Sequence, residues 1–85
     1  MYRVRYKKSA IKGMAKMPRE VRDRVEYAIQ RLAEDPGDES LDVKPLQGRD
    51  GYRLRVGQWR ALFQRDDEEL TILVVAAGPR GDVYK

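Results

Sequence analysis

The sequence predicts an α+β fold, with two N-terminal helices on one face of a four- to five-stranded, mainly antiparallel sheet. The first observation is a change of period: apolar residues alternate at the start, recur at helical spacing, and then form short segments between turn residues. The second is that the last strands follow one another through tight turns, which forces them to pair antiparallel. A chain of 85 residues holds one modest core, so we treat residues 1–85 as a single domain.

The first third of the chain predicts one strand and two helices. Tyr2, Val4 and Tyr6 alternate with basic residues, as in a half-buried strand. Ser9 is the expected N-cap of a short first helix. A second helix begins at Pro18 and ends before Pro36, which disfavours helical geometry at the preceding residue. Its apolar stripe consists of Val21, Val25, Ala28, Ile29 and Leu32.

The remainder predicts four strands. Residues 43–46 form a short edge strand, since proline is tolerated at an edge. Residues 52–56 and 59–64 flank a two-residue hairpin turn that begins with Gly57. Residues 70–77 are almost continuously apolar, which indicates a central strand covered on both faces and ended by Gly78 and Pro79.

Composition excludes several kinds of chemistry. The chain has no cysteine and no histidine, which removes disulfides, thiol nucleophiles and the Ser-His-Asp triad. No apolar run approaches the ~20 residues of a membrane span, and the N-terminus lacks the apolar segment of a signal peptide. We therefore expect a cytoplasmic protein with no membrane contact, no metal and no cofactor.

Basic charge gathers in residues 44–65, where Asp50 is the only acid. Alternation places Arg53 and Arg55 on one sheet face, and the hairpin brings Arg60 across from or diagonal to Arg55. Such a cluster suits phosphate oxygens, although a merely solvated sheet face remains the alternative. Arg3, on the first strand, stays outside this predicted site.

Residues 44–60, with the segment Gly-Tyr-Arg-Leu-Arg-Val-Gly at 51–57, resemble the RelE/ParE toxin superfamily, and its RelE-like branch in particular. The C-terminal residues 78–84 and the order of the elements agree with that family. The resemblance implies a RelE-like fold and the toxin of a type II toxin-antitoxin system. It implies an mRNA endoribonuclease that acts on the ribosome, needs no metal, and is held inactive by a RelB-like antitoxin.

The resemblance also implies roles for particular residues. The implied catalytic residues are Arg60, Arg80 and Tyr84, and the implied phosphate-binding residues are Arg53, Arg55, Arg49 and Lys44. Several RelE enzymes carry lysine where this chain has Arg53 and Arg55, and arginine is a poor general base, so the base stays open. Two alternatives remain: a ParE-like inhibitor of DNA gyrase, and a RelE-fold binding protein with weak catalysis.

Overall fold

A computed structural model describes residues 1–79, which form five strands and two helices. In chain order the elements are β1 (Arg3–Tyr6), α1 (Lys8–Ala15), α2 (Arg19–Glu34), β2 (Asp42–Pro45), β3 (Tyr52–Val56), β4 (Trp59–Asp66) and β5 (Thr71–Pro79). This confirms the predicted order and the α+β class.

The five strands form one mixed sheet in the order β1-β5-β4-β3-β2. Strands β2 to β5 are an antiparallel meander, and β1 lies parallel to β5 at the far edge. The helical connection makes this parallel pairing possible, because parallel neighbours need a long crossover. Strand β2 is the other edge, which accommodates Pro45 as predicted.

The core lies between the two helices and one face of the sheet. Helix α2 contributes the predicted stripe, of which Val25, Ile29 and Leu32 are 1% exposed. The sheet contributes alternate residues of its three inner strands, namely Leu54, Ala61, Phe63, Ile72 and Val74. Because successive strand side chains point to opposite faces, the residues between them lie on the other, helix-free side.

The start of α1 differs from the prediction. The N-cap is Lys7, and no side chain caps the helix. Ser9 lies inside the helix and its hydroxyl donates to the Val75 carbonyl oxygen at 2.6 Å. The register between β4 and β5 shifts at Leu62 and Phe63, which leaves Val75 without a partner on β4. The Ser9 hydroxyl thus provides the Val75 carbonyl oxygen with a hydrogen bond at a β-bulge, instead of capping the helix.

Three strands also have boundaries that were predicted wrongly. Strand β2 begins and ends one residue earlier, and β4 runs two residues further, to Asp66. Strand β5 continues through Gly78 and Pro79, because Pro79 stands opposite Trp59 in the antiparallel ladder. It is central, as predicted, but Leu73 and Ala76 are only half-buried, so helices cover one face of it alone.

The β3–β4 hairpin confirms the predicted turn and positions the functional face. Val56 pairs with Trp59, so the loop has two residues, and Gly57 has a φ of 61°. Glycine adopts this left-handed region without the steric cost that other residues incur, and it suits the twist of a two-residue hairpin. The turn thereby fixes which residues of β3 and β4 lie opposite each other.

Candidate nucleic-acid interface

The helix-free face of the sheet carries an arginine cluster, which we define as Arg53, Arg55 and Arg60. Arg55 and Arg60 are direct partners in the β3–β4 register, and Arg53 pairs with Leu62. Like charges directly opposite each other in a sheet are destabilising. The predicted juxtaposition is therefore confirmed, and it creates a surface that favours an anion.

In the part of the chain that the structure describes, Asp42 is the carboxylate that contacts this cluster. It stands opposite Arg55 on the edge strand β2. The Nη2 of Arg53 donates to the Oδ1 of Asp42 at 3.3 Å. The Oδ2 of Asp42 lies 4.0 Å from the Nε of Arg55. Among residues 1–79, a single carboxylate contacts these three guanidinium groups, and it neutralises only part of their charge.

The three arginines differ in exposure. The Arg55 side chain is 50% exposed and that of Arg53 is 13% exposed. Arg60 is 6% exposed, whereas the sequence suggested a solvated side chain. Its Nη1 donates to the carbonyl oxygens of Gly57 at 3.3 Å and Trp59 at 3.1 Å. The hairpin backbone therefore holds this guanidinium in one position.

No carboxylate of residues 1–79 lies within 4.0 Å of Arg60. Burying a charge is costly, and hydrogen bonds to the two carbonyl oxygens compensate for part of that cost. A phosphate oxygen beside Arg60 would add a negative charge that no residue of 1–79 supplies. The burial thus makes Arg60 a fixed donor rather than a mobile surface cation.

The other predicted site residues lie around the arginine cluster or outside the described part of the chain. Lys44 is opposite Arg53 on β2, so it shares the face of the cluster. Arg49 is exposed in the turn between β2 and β3, at the end of the sheet. Arg80 and Tyr84 lie outside the residues that the structure describes.

Sequence reasoning missed three residues of this face. Asp42 was missed because the edge strand was predicted to begin one residue later, at residue 43. Arg3 and Arg5 were left out of the site because the pairing of β1 with β5 is not visible in local sequence. The alternating pattern did show that they share one side of their strand.

A second charged cluster lies at the opposite end of β4. The Tyr2 hydroxyl and the Arg65 Nε both donate to Asp67 Oδ1, each at 2.7 Å. The hydrogen bond from Arg65, followed by that from Tyr2, lowers the pKa of Asp67. The hydrogen bond between Tyr2 and Asp67 raises the pKa of Tyr2. The cluster ties the N-terminus to the β4–β5 turn.

Within residues 1–79, no three carboxylate side chains converge in a way that could hold a metal ion. In the same part of the chain, neither helix has the length and apolar character needed to cross a membrane.

Residues 4–84 match the family model of the ParE toxin of the type II toxin-antitoxin system parDE. The chain therefore belongs to the RelE/ParE superfamily of type II toxins. Within that superfamily it is a toxin of the RelE-like branch, as its relatives indicate.

Toxin RelG of Mycobacterium tuberculosis is 32% identical over 88 residues, which cover 99% of this chain and 97% of the relative. The archaeal RelE-RelB complex from Pyrococcus horikoshii OT3 contains a chain that is 28% identical, with a TM-score of 0.81 and coverage of 95% and 97%. The toxin-antitoxin complex RelBE2 from M. tuberculosis gives 29% identity, a TM-score of 0.76, and coverage of 93% and 98%.

Proposed function

We propose that this toxin is an endoribonuclease that cleaves mRNA on the ribosome and so inhibits translation. The 2′-hydroxyl oxygen attacks the adjacent phosphorus, and the bond from phosphorus to the 5′-oxygen breaks. The 2′-hydroxyl gives its proton to a base, and the 5′-oxygen receives one. The products are a 2′,3′-cyclic phosphate and a free 5′-hydroxyl.

The register of the arginine cluster is the observation that carries this proposal. Two arginines stand directly opposite each other, with a third beside them, and Asp42 offsets one positive charge. Negative charge increases on the phosphate during attack, so fixed guanidinium donors stabilise the transition state more than the substrate. The hydrogen bonds that hold Arg60 support this role for it. Arg53 and Arg55 hold the flanking phosphates, with Lys44 and Arg49 at the margin.

Asp42 is the proposed proton acceptor. A carboxylate accepts a proton at neutral pH, whereas a guanidinium does not release one. Its contacts with Arg53 and Arg55 support the assignment, because a phosphate held by these two arginines would lie close to this carboxylate. This assignment replaces the lysine that several RelE enzymes carry on β3. The roles of Arg80 and Tyr84 in protonating the leaving oxygen and orienting a base rest on the family resemblance alone.

We expect cleavage to depend on the ribosome because the chain has few side chains that exchange protons near neutral pH. The chain has no histidine and no cysteine, the side chains that exchange protons most readily near neutral pH. We therefore expect slow cleavage of free RNA, with ribosomal groups contributing to proton transfer. Because ribosomes translate mRNA in the cytoplasm, we propose that the toxin acts there.

A RelB-like antitoxin is the proposed partner. Similar chains were solved in RelE-RelB and RelBE2 complexes, which supports this assignment. The basic face favours an antitoxin segment that carries acidic residues along a helix or an added strand.

The test is incubation of the purified toxin with an mRNA, with and without ribosomes. We expect cleavage that is faster on ribosomes and leaves cyclic phosphate and 5′-hydroxyl ends. The slower cleavage of free RNA, measured without ribosomes, should persist in EDTA. A gyrase supercoiling assay runs beside it, because the matching family model describes ParE toxins. Intact mRNA together with inhibited supercoiling would establish the gyrase alternative, and intact mRNA with normal supercoiling would indicate a binding protein.

A further inference from the structure

A second pair of arginines lies on the same sheet face as the arginine cluster. We define this β1 pair as Arg3 and Arg5. In the register of the parallel pair, Arg3 stands beside Thr71 and Arg5 beside Leu73. Leu73 in turn pairs with Gln64 on β4. Gln64 shares its side of the strand with Arg60, because residues two and four apart on a strand point the same way.

Both arginines of the β1 pair are exposed, and they have no carboxylate of residues 1–79 within 4.0 Å. They are therefore available to an anion. Exposed and unpaired cations on a sheet edge are also common as solubilising residues. What distinguishes this pair is its place on the sheet face that carries the arginine cluster, together with the depression that adjoins it.

A depression of about 1110 Å³ adjoins the β1 pair. Arg3, Arg5, Thr71, Leu73 and Gln64 form part of its lining. Its volume exceeds the roughly 300–1,000 Å³ of an ordinary small-molecule pocket, so it suits an extended chain better. The middle of the face is neutral, with the half-buried Leu73 and Ala76 and the uncharged Gln64.

The same depression is also lined by Asp50 and by the acidic turn, whose carboxylates are Asp66, Asp67, Glu68 and Glu69. The turn adjoins the Arg3 end of the β1 pair, because Thr71 pairs with both Arg3 and Asp66. These carboxylates repel phosphate groups. A polyanion on this face is therefore directed away from the turn, from the β1 pair towards the arginine cluster.

We propose that the β1 pair is a second phosphate-binding site for single-stranded RNA, which crosses the sheet from β1 to the arginine cluster. The inference rests on the proposed function and extends it. Strands β1 and β3 are separated by β5 and β4, which is three strand spacings or about 14 Å. The register also sets the cluster at least two residues further along the strands than Arg5, so the two sites are at least about 16 Å apart. A dinucleotide cannot contact both sites, whereas a longer oligonucleotide contacts both with its phosphates while its bases lie over the neutral middle.

The experiment measures the binding of an RNA of about eight nucleotides, within the range of site sizes for single-strand binders. The RNA carries 2′-O-methyl groups throughout, which block the attacking 2′-oxygen and so prevent cleavage. In the double variant Arg3→Ala/Arg5→Ala we expect binding about threefold to tenfold weaker near physiological salt. The slope of log K against log salt should fall in magnitude by about 1.4, since each lost phosphate contact contributes about 0.7. The affinity for a dinucleotide should not change.

The matched control is Lys8→Ala/Lys12→Ala, which removes the same charge from exposed positions on α1. The variant Arg3→Lys/Arg5→Lys should restore most of the affinity and the slope, because it keeps both charges. Thermal unfolding of each variant verifies that the exposed substitutions leave the fold intact.

The variant Arg53→Ala/Arg55→Ala separates the two proposals. If it weakens binding and Arg3→Ala/Arg5→Ala leaves affinity and slope unchanged, the β1 site is wrong and the arginine cluster stands. An equal loss in the α1 control would also overturn the β1 site, since net charge alone would then explain it. If neither arginine variant weakens binding, both the β1 site and the proposed RNA face are wrong. A selective loss in Arg3→Ala/Arg5→Ala supports the β1 site even where no cleavage is found.

Discussion

Asp42 is the residue whose substitution separates catalysis from binding. It is the carboxylate that contacts Arg53 and Arg55. In Asp42→Asn we expect cleavage to slow by about 10²-fold or more, because a positioned base contributes about 10²–10⁴. RNA binding should become tighter, because one negative charge leaves the arginine cluster. Single-turnover rates and affinities, measured separately, test both expectations.

The control is Asp50→Asn, which removes an exposed carboxylate that has no ion pair with the described residues. It should leave the cleavage rate at saturation unchanged. Wild-type rates in Asp42→Asn would show that the base lies elsewhere.

Asp67 links stability to pH at the other end of the sheet. Hydrogen bonds from Arg65 and then from Tyr2 lower its pKa. A lowered pKa stabilises the folded state above the usual carboxyl pKa, and this stabilisation is lost as pH falls through the lowered value. Between pH 6 and 3, urea unfolding should therefore show a larger loss of stability for wild type than for Asp67→Asn. Because the side chain is exposed, the effect is small.

Glu68→Gln is the control for the urea unfolding of Asp67→Asn. It removes one charge from the same turn, and the Glu68 side chain makes no hydrogen bond with residues 1–79. Its pH dependence should resemble that of the wild type. If Asp67→Asn also matched the wild type, the Tyr2–Arg65–Asp67 cluster would contribute nothing to folding near pH 4.

At the scale of elements, Gly13 determines how closely α1 packs on β5. A Cβ at this position would overlap the Ala77 carbonyl group and lie 2.9 Å from its carbon. Gly13→Ala gains up to about 1 kcal/mol in helix propensity, yet forcing the backbones apart costs typically about 1–3 kcal/mol and occasionally more. We expect a net loss in the free energy of unfolding, measured by urea denaturation.

Gly37→Ala is the comparison, because a Cβ there would meet only the Asp35 carboxylate, at 3.4 Å. It should change stability by no more than about 0.5 kcal/mol. A Gly13→Ala variant as stable as Gly37→Ala would mean that α1 does not sit directly on the β5 backbone.

The same elements show how far local sequence predicts this fold. The hairpin at Gly57 and the stripe of α2 depend on residues close in sequence, and both were predicted. By contrast, the Ser9 hydroxyl donates to the carbonyl oxygen of Val75, which lies at a β-bulge 66 residues away. The residues around Ser9 contain no sign of that bulge, so they predicted only an N-cap. Likewise, the alternation around Arg3 identified its face but not the neighbour of β1, which a parallel crossover determines.

On the scale of the whole molecule, positive charge is more widely distributed than the basic stretch at 44–65 suggested. The first 19 residues contain no acid and include Arg3, Arg5, Lys7, Lys8, Lys12, Lys16 and Arg19. The net charge of the chain is +4, so the rest of the sequence is net acidic. The sheet brings the β1 pair from this segment onto the face of the arginine cluster. A single basic face is thereby assembled from both halves of the chain, while the acidic turn limits it at one end.

The central claim, that this face cleaves RNA, is tested most directly at Arg60. The measurement is the single-turnover rate of cleavage of ribosome-bound mRNA by wild type, by Arg60→Lys, and by Arg19→Lys as the exposed control. Arg60→Lys keeps the charge but loses the planar fork that the hairpin carbonyls position. We predict a rate lower by about 10²-fold, the scale of one lost transition-state donor, with RNA affinity and melting temperature near those of the wild type. Cleavage by Arg60→Lys at the wild-type rate would contradict the account.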